Sequence, residues 1–173
     1  MLQRLNTARL ELIPISKTIA RKLTDVNIEK LCSDLKINVL NNANYLNSLS
    51  ELGIYFWAIA DDAPWCAYLF MESESKTVVG NGGFKGAPRN NTLEIGYEVY
   101  HKFYKKGYAT EAVARLIALV DSKKIKNVFA ETEIENKASM RVLEKNGFMV
   151  TKNFTNKDGE LMCAFERKLV EVI

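Results

Sequence analysis

The stretch FYKKGYATEA, from Phe103 to Ala112, places two lysines and a glycine directly before an apolar pattern that is typical of a helix. The N-terminus of a helix carries unpaired backbone N–H groups and the positive end of the helix dipole. A glycine there lets the backbone approach a partner closely, and the lysines add positive charge. The stretch therefore predicts a site for an anion, most naturally a phosphate.

The familiar phosphate-loop patterns do not explain this stretch. A Walker A loop needs G-x-x-x-x-G-K-[ST], whereas here the lysines precede a single glycine, and the G-x-G-x-x-G fingerprint is also missing. Taken alone, the stretch fits a plain helix start with solvated lysines better than a ligand site, so the neighbouring elements must decide.

The flanking sequence predicts a strand–helix–strand–helix order. TLEIGYEV, from Thr92 to Val99, and NVFAETEI, from Asn127 to Ile134, have the character of strands. Between them, apolar residues from Ala109 to Val120 recur at helical spacing. The last helix has Asn136 as an N-cap and stops at Gly147. Such a crossover pairs its two strands in parallel.

The rest of the chain predicts antiparallel strands joined by turns, with helices near the start. Four glycines between Gly80 and Gly86 indicate a bulge or a close backbone approach. We therefore expect an α/β (α+β) fold, as one domain over residues 1–173, in which helices flank a mixed central sheet. The other predicted elements are a strand from Arg9 to Ile15, helices capped by Ser16 and Asn27, a helical stretch with Tyr45 to Leu52, strands over Trp65–Met71 and Thr77–Gly86, and a hairpin around Asp158-Gly159.

The composition limits the class of partner. The 173 residues are 47% apolar and 26% charged, and the net charge of +3 is too small to indicate a nucleic-acid partner. Three cysteines without CxxC spacing predict neither a disulfide framework nor a zinc site. Arginines near the N-terminus argue against a signal peptide, and no apolar run is long enough for a membrane span, so we expect a cytoplasmic protein. The lone histidine, His101, has no acidic neighbour that would make it a catalytic residue.

Three motifs resemble the GCN5-related N-acetyltransferase (GNAT) superfamily, most closely its branch of ribosomal-protein alanine N-acetyltransferases. These motifs are EIGY, GYATEA and N-x-x-S-x-R-V-L-E-K-x-G-F, between Leu93 and Phe148. The opening TARLEL-P is similar to the first strand of that branch. The resemblance implies a mostly antiparallel twisted sheet with one splayed pair of parallel strands.

The resemblance also implies a binding site for acetyl-coenzyme A and no metal. The backbone of the glycine loop would wrap the pyrophosphate at the helix N-terminus, and the pantetheine arm would lie in the gap beside the strand that ends at Val99. The residues implied in cofactor binding are Tyr97, Val99, Lys105, Lys106, Gly107, Tyr108, Ala109, Thr110, Asn136 and Ser139. The chain departs from the family pattern at Tyr104, where Arg or Gln is usual, and at Lys105, where Gly or Asn is usual.

The chemistry needs a proton donor for the leaving thiolate and a base for the amine. Many superfamily members use a tyrosine at the position that Leu143 occupies here, and the ribosomal-protein branch implies Ser139 in its place. An ordinary role for Ser139 in the first helical turn is equally open, as is a tyrosine donor, with Tyr97 and Tyr100 nearest in sequence.

Glu94 is the preferred base because it lies on the strand beside the expected gap. Glu98 shares its face by alternation, and a water chain is another option. Glu131 and Glu133 on the neighbouring strand are better explained as solvated carboxylates.

The sequence thus predicts direct acetyl transfer from acetyl-coenzyme A to a primary amine, on a protein N-terminus or a small molecule. The alternative is a catalytically silent module on the same fold that binds coenzyme A or a protein partner. We expect no nucleic acid or membrane as partner, and a homodimer remains an option.

Overall fold

The computed structural model describes residues 3–24, 28–40, 64–120 and 124–169. Within these ranges, and apart from the short first strand, the chain forms strands and helices in the order that the sequence predicts. The elements are β1 (Leu5–Asn6), β2 (Leu10–Pro14), α1 (Lys17–Thr24), α2 (Ile28–Leu35), β3 (Ala67–Glu72), β4 (Val78–Phe84), β5 (Thr92–Val99), a 3-10 turn (His101–Phe103), α3 (Tyr108–Ile117), β6 (Asn127–Glu133), α4 (Lys137–Lys145), β7 (Met149–Thr155) and β8 (Leu161–Lys168).

The strands form one sheet in the order β1-β2-β3-β4-β5-β6-β8-β7. Each neighbouring pair is antiparallel except β5 and β6, which run parallel because α3 crosses over between them. The predicted fold class is confirmed: a mixed, mostly antiparallel sheet with flanking helices.

The α3 helix packs an apolar face against β2, β4 and β5. Its buried residues Ala112, Val113, Leu116 and Ile117 repeat at helical spacing. Burying a large apolar side chain such as Leu116 stabilises the fold by about 1.5–3 kcal/mol. This packing fixes the N-terminus of α3, where the anion site is predicted.

The glycines of β4 allow its backbone to approach both neighbouring strands closely. A Cβ atom added at Gly80 would lie 2.2 Å from the carbonyl oxygen of Glu98, and one at Gly83 would lie 2.4 Å from that of Cys66. No side chain fits at such distances. The close approach that the glycine-rich segment predicts is confirmed, and a register shift follows Phe70 on the β3 side.

Most predicted elements are confirmed, with differences at their ends. Ser16 caps α1 through a 3.3 Å hydrogen bond from the backbone N–H of Ile19. The α3 helix ends at Ile117 rather than Val120, because its last turn tightens into i→i+3 hydrogen bonds such as Val120 N–H to the Ile117 carbonyl. The short β1 strand was not predicted. The predicted cap Asn27 and the helical stretch from Tyr45 to Leu52 lie outside the described residues.

The described residues were also compared with the predictions on membrane spans, metal sites and cysteines. No helix among the described residues is both long and apolar enough to cross a bilayer. The same residues contain no cluster of three metal-ligating side chains. Cys32, Cys66 and Cys163 are all free thiols.

The close approach of β4 and β5 yields a stability prediction. Gly80→Ala should lower the free energy of unfolding by about 3 kcal/mol, because the new methyl group forces two paired strands apart. Gly96→Ala is the matched control, since its Cβ would meet only the flexible Cε of Lys85, at 3.4 Å. Urea denaturation measures both variants, and equal stabilities would contradict the steric account.

Candidate functional site

The predicted site lies where the two parallel strands separate. β5 pairs with β6 only from Thr92 to Glu94, opposite Asn127 to Phe129. Beyond Glu94, β5 keeps its antiparallel partner β4 as far as Val99, while β6 continues along β8. An opening therefore forms between the carboxyl-terminal halves of β5 and β6, and the splayed pair is present.

A cavity of about 630 Å³ lies beside this opening. Its walls come from the end of β5, from the segment that leads into α3, and from α4. The lining residues are Tyr97, Glu98, Val99, Phe103, Tyr104, Lys105, Gly107, Tyr108, Ala109, Thr110, Asn136, Lys137, Ala138, Ser139, Arg141, Val142 and Lys145. The structure thus brings together nine of the ten residues implied in cofactor binding.

The segment before α3 is a turn with a run of free donors. Lys105 and Gly107 have left-handed backbones, with φ of 61° and 81°. The backbone N–H groups of residues 105–110 donate to no group in the part of the chain that the structure describes, and the first helical hydrogen bond runs from Glu111 N–H to the Gly107 carbonyl. Six successive unpaired N–H groups at a helix N-terminus form an anion-binding surface.

Cationic side chains add to this surface. Lys137, Arg141 and Lys145 all line the cavity. They are four residues apart on α4 and so share one helix face. We did not predict this cationic stripe, although its spacing is visible in the sequence.

Lys106 is the predicted residue that does not line the cavity. Its Nζ lies 5.5 Å from the centroid of the Phe103 ring, and its backbone carbonyl accepts a 2.9 Å hydrogen bond from Arg9. Within the described structure, Lys106 therefore takes part in the turn through its backbone, and its ammonium group does not line the cavity.

Tyr97 and Ser139 meet across the cavity wall. The Tyr97 hydroxyl lies 3.0 Å from Ser139 Oγ and donates to the Ser139 carbonyl, also at 3.0 Å. Burial raises the pKa of the Tyr97 phenol to about 12, although its hydrogen bond with Ser139 acts to lower it. The phenol is therefore protonated at neutral pH.

The other positions considered for the proton donor lie elsewhere. Tyr100 is buried, and its hydroxyl accepts a hydrogen bond from Asn81 rather than meeting Ser139. Leu143 is 1% exposed and belongs to the core. Of the two tyrosines nearest in sequence, the structure brings Tyr97 to Ser139.

Asn136 caps α4 at the edge of the cavity, as predicted. Its Oδ1 accepts a 3.0 Å hydrogen bond from the backbone N–H of Ser139. Its Nδ2 has no partner among the described residues. The same side chain can therefore orient Ser139 and donate to a ligand.

Glu94 does not line the cavity, whose nearest lining residue on β5 is Tyr97. Glu94 is the last β5 residue paired with β6, and its carboxylate forms an ion pair with Lys85. Glu98 lines the cavity and is exposed. Glu131 and Glu133 are exposed on β6, which agrees with their interpretation as solvated carboxylates.

Comparison with known protein families shows which family shares this architecture. The model of the acetyltransferase (GNAT) domain family matches residues 10–149. Among curated proteins of Bacillus subtilis, the uncharacterized N-acetyltransferase YoaA is 29% identical over 79% of this chain and 84% of its own length. The uncharacterized N-acetyltransferase YjdG is 31% identical over 49% of this chain, and the match spans about half of that relative, 51%.

Solved structures share the fold at low sequence identity. A ribosomal-protein-S5-alanine acetyltransferase from Vibrio fischeri superposes with a TM-score of 0.68 at 11% identity, covering 96% of this chain and 97% of that one. The microcin C7 self-immunity acetyltransferase MccE, solved in complex with acetyl-CoA and AMP, has a TM-score of 0.64 at 18% identity and covers 94% of this chain and 93% of its own.

Proposed function

This chain belongs to the GNAT family of acetyltransferases, and we propose that it transfers an acetyl group from acetyl-CoA to a primary amine, on a protein N-terminus or a small molecule. The observation that carries the proposal is the run of six N–H groups at residues 105–110, which have no partner among the described residues and lie beside the splayed strands. A site of this kind suits a ligand with a pyrophosphate at one end and an extended arm at the other.

The residues present fit acetyl-CoA. In the proposal, the turn over residues 105–110 holds the pyrophosphate through its backbone, and the Thr110 hydroxyl adds a donor. Lys105 and the cationic stripe of α4 balance the negative charge. The pantetheine arm lies in the opening beside Tyr97 and Val99, where β5 has lost its pairing with β6. The complex of MccE with acetyl-CoA supports this use of the fold.

The reaction is a direct transfer. The amine nitrogen bonds to the carbonyl carbon of the thioester, the carbon–sulfur bond breaks, the nitrogen loses a proton to a base, and the thiolate gains a proton. Acetyl-CoA supplies the activated acetyl group. The protein orients the two reactants and handles the protons.

Ser139 and Tyr97 act together on the sulfur in this proposal. The Ser139 hydroxyl faces the cavity and donates toward the thiolate as negative charge develops there. The Tyr97 hydroxyl lies 3.0 Å from both the carbonyl oxygen and the hydroxyl oxygen of Ser139. When Ser139 turns its own proton toward the thiolate, Tyr97 donates its one proton to the Ser139 hydroxyl oxygen and so holds Ser139 in place. Because the Tyr97 phenol stays protonated at neutral pH, it remains able to donate.

Glu94 is the proposed base. Its place at the last paired position of β5 puts it where the opening begins, and Lys85 is its ion-pair partner. Glu98, in the cavity wall, and a water chain are the alternatives. A primary amine as the acceptor stays a prediction. So do a cytoplasmic location, the option of a homodimer and a single domain over residues 1–173.

Gly107→Val tests the phosphate assignment. A branched residue at a φ of 81° strains the turn, so we expect a dissociation constant for acetyl-CoA at least about tenfold higher, a loss of about 1.4 kcal/mol. Isothermal titration calorimetry measures it. The matched control is Gly159→Val, which should bind acetyl-CoA as the parent does, because Gly159 has a similar φ of 85° but does not line the cavity. Equal affinities in Gly107→Val and the parent would refute the assignment.

Ser139→Ala tests the proton donor. We expect kcat to fall roughly 10- to 1000-fold with nearly unchanged acetyl-CoA affinity, since the hydroxyl acts mainly in the transition state. A thiol-release assay on a panel of peptides, polyamines and aminoglycosides first identifies an acceptor. The variants Tyr97→Phe and Ser139→Ala/Tyr97→Phe complete a double-mutant cycle. Full activity in Ser139→Ala with a collapse in Tyr97→Phe would transfer the donor role to Tyr97.

Glu94→Gln tests the base. Without a base, the reaction depends on the fraction of amine that is already neutral, and this fraction rises with pH. The rate defect of Glu94→Gln should therefore be largest at low pH and shrink as the pH increases toward the pKa of the amine. Glu98→Gln is the comparison variant. A defect independent of pH in Glu94→Gln, or one confined to Glu98→Gln, would exclude Glu94 as the base.

A further inference from the structure

We propose that Arg9, between β1 and β2, is a positioning residue that holds the turn of residues 105–110 in its ligand-binding conformation. The proposal rests on the assignment of this turn to the pyrophosphate of acetyl-CoA. Arg9 is about one hundred residues away in sequence and does not line the cavity. Its role is therefore to act through the turn.

The guanidinium group of Arg9 spans the turn and the first turn of α3. Its Nη1 donates to the Lys106 carbonyl at 2.9 Å, and its Nε donates to Glu111 Oε2 at 2.8 Å. Its Nη2 lies 2.7 Å from the same Glu111 oxygen. The planar fork of arginine can make these contacts at once, whereas the single ammonium group of a lysine cannot reproduce that geometry.

The contact with the Lys106 carbonyl determines where the next N–H points. In a trans peptide unit, the C=O and the following N–H point in opposite directions. Holding the Lys106 carbonyl toward Arg9 therefore directs the Gly107 N–H away from Arg9. Gly107 lines the cavity, and its N–H belongs to the run of unpaired donors.

The turn requires such support because its backbone is strained. Lys105 is not a glycine, yet its φ is 61°, a left-handed conformation that side chains with a Cβ atom disfavour. Such conformations persist only where surrounding contacts enforce them. Arg9 supplies a contact on the Lys106 carbonyl, which belongs to the peptide between Lys106 and the left-handed Gly107.

Arg9 also neutralises a carboxylate near the anion site. Glu111 lies in the first turn of α3 and would repel a bound phosphate if its charge were free. It instead accepts hydrogen bonds from the Thr7 hydroxyl at 2.6 Å and the Arg9 backbone N–H at 2.8 Å, besides those of the guanidinium. Burial would raise the pKa of Glu111, but these hydrogen bonds outweigh it and lower that pKa.

A further contact fixes the first residue of α3. The Arg9 guanidinium carbon lies 4.9 Å from the centroid of the Tyr108 ring, within the range of a cation–π interaction. The Tyr108 hydroxyl in turn donates to Glu72 on β3. Both ends of the Tyr108 side chain are thereby held, and the turn is braced on the side facing Arg9.

The test compares Arg9→Ala with the parent in steady-state kinetics on the acceptor found by the screen. We expect the KM for acetyl-CoA to rise at least tenfold while kcat at saturation stays within about twofold. With S-acetylpantetheine, which lacks the pyrophosphate, Arg9→Ala and the parent should have equal kcat/KM. Equal losses with both donors would overturn the proposal, because they would show a general structural defect, and so would an unchanged KM for acetyl-CoA.

Two further variants sharpen the result. Arg115 also ties α3 to the N-terminal segment, through a 3.2 Å hydrogen bond from its Nε to the Asn6 carbonyl. Arg115→Ala is therefore the matched control for lost tethering, and its KM for acetyl-CoA should be unchanged. Arg9→Lys distinguishes a positioning role from a direct contact between the Arg9 charge and the phosphate. A KM for acetyl-CoA within threefold of the parent would indicate a direct contact and overturn the positioning role. A larger increase in KM supports the positioning role.

These measurements distinguish a failure of the proposed function from a failure of the proposed role of Arg9. If the parent protein neither binds acetyl-CoA in calorimetry nor uses it, the proposed function fails. If the parent binds and turns over acetyl-CoA but Arg9→Ala does so with the same KM, only the role of Arg9 fails. Should Arg9→Ala not fold, Arg9→Gln and Arg9→Lys carry the same comparison.

Discussion

The parting of β5 from β6 is the constraint on which the site depends. A strand that loses a partner on one side leaves backbone N–H and C=O groups without hydrogen bonds. β5 can tolerate this because β4 stays paired along its other side as far as Val99. The glycines of β4 make that pairing close, since any side chain at Gly80 would collide with β5. The exposed edge of β5 is therefore stable, and its free groups are available to a ligand.

The cavity beside the opening is walled by α4, and a side chain connects this helix to β5. The Tyr97 hydroxyl reaches the backbone and the hydroxyl of Ser139 in the first turn of that helix. The Tyr97 phenol thus links the strand directly to the helix. Asn136 caps the same turn. The side chains of Tyr97 and Asn136 therefore both hold Ser139 in position.

Charge is arranged differently on the two faces of the α3 N-terminus. The cavity face carries Lys105 and the cations of α4. The opposite face carries the carboxylates of Glu72 and Glu111, each of which is engaged. Hydrogen bonds from Ser75 and Tyr108 lower the pKa of Glu72, and Glu111 is paired with Arg9. An anion at this helix N-terminus therefore meets positive charge, while Glu72 and Glu111 are each held by hydrogen-bond donors.

Local pattern predicted the elements of the fold and the position of the turn, because strands, helix caps and glycine-dependent turns are encoded within a few residues. The helix start after Gly107 and the cap at Asn136 are examples. The contact of Tyr97 with Ser139 joins residues 42 positions apart, and that of Arg9 with Lys106 joins residues 97 apart. Such contacts arise from the packing of the whole sheet, so short motifs carry no signal for them. The two-residue β1 is too short to show a period at all.

The two edges of the sheet differ in a way that bears on self-association. β1 offers a partner strand only two residues, whereas β7 offers seven and leaves Met149 and Val150 exposed. A long apolar edge invites edge-to-edge aggregation. Here the register shifts between Val150 and Lys152, directly after the exposed pair. An irregular edge that bears a lysine is a poor template for another strand. Edge-to-edge pairing is therefore disfavoured at β1 by the shortness of the strand and at β7 by the bulge.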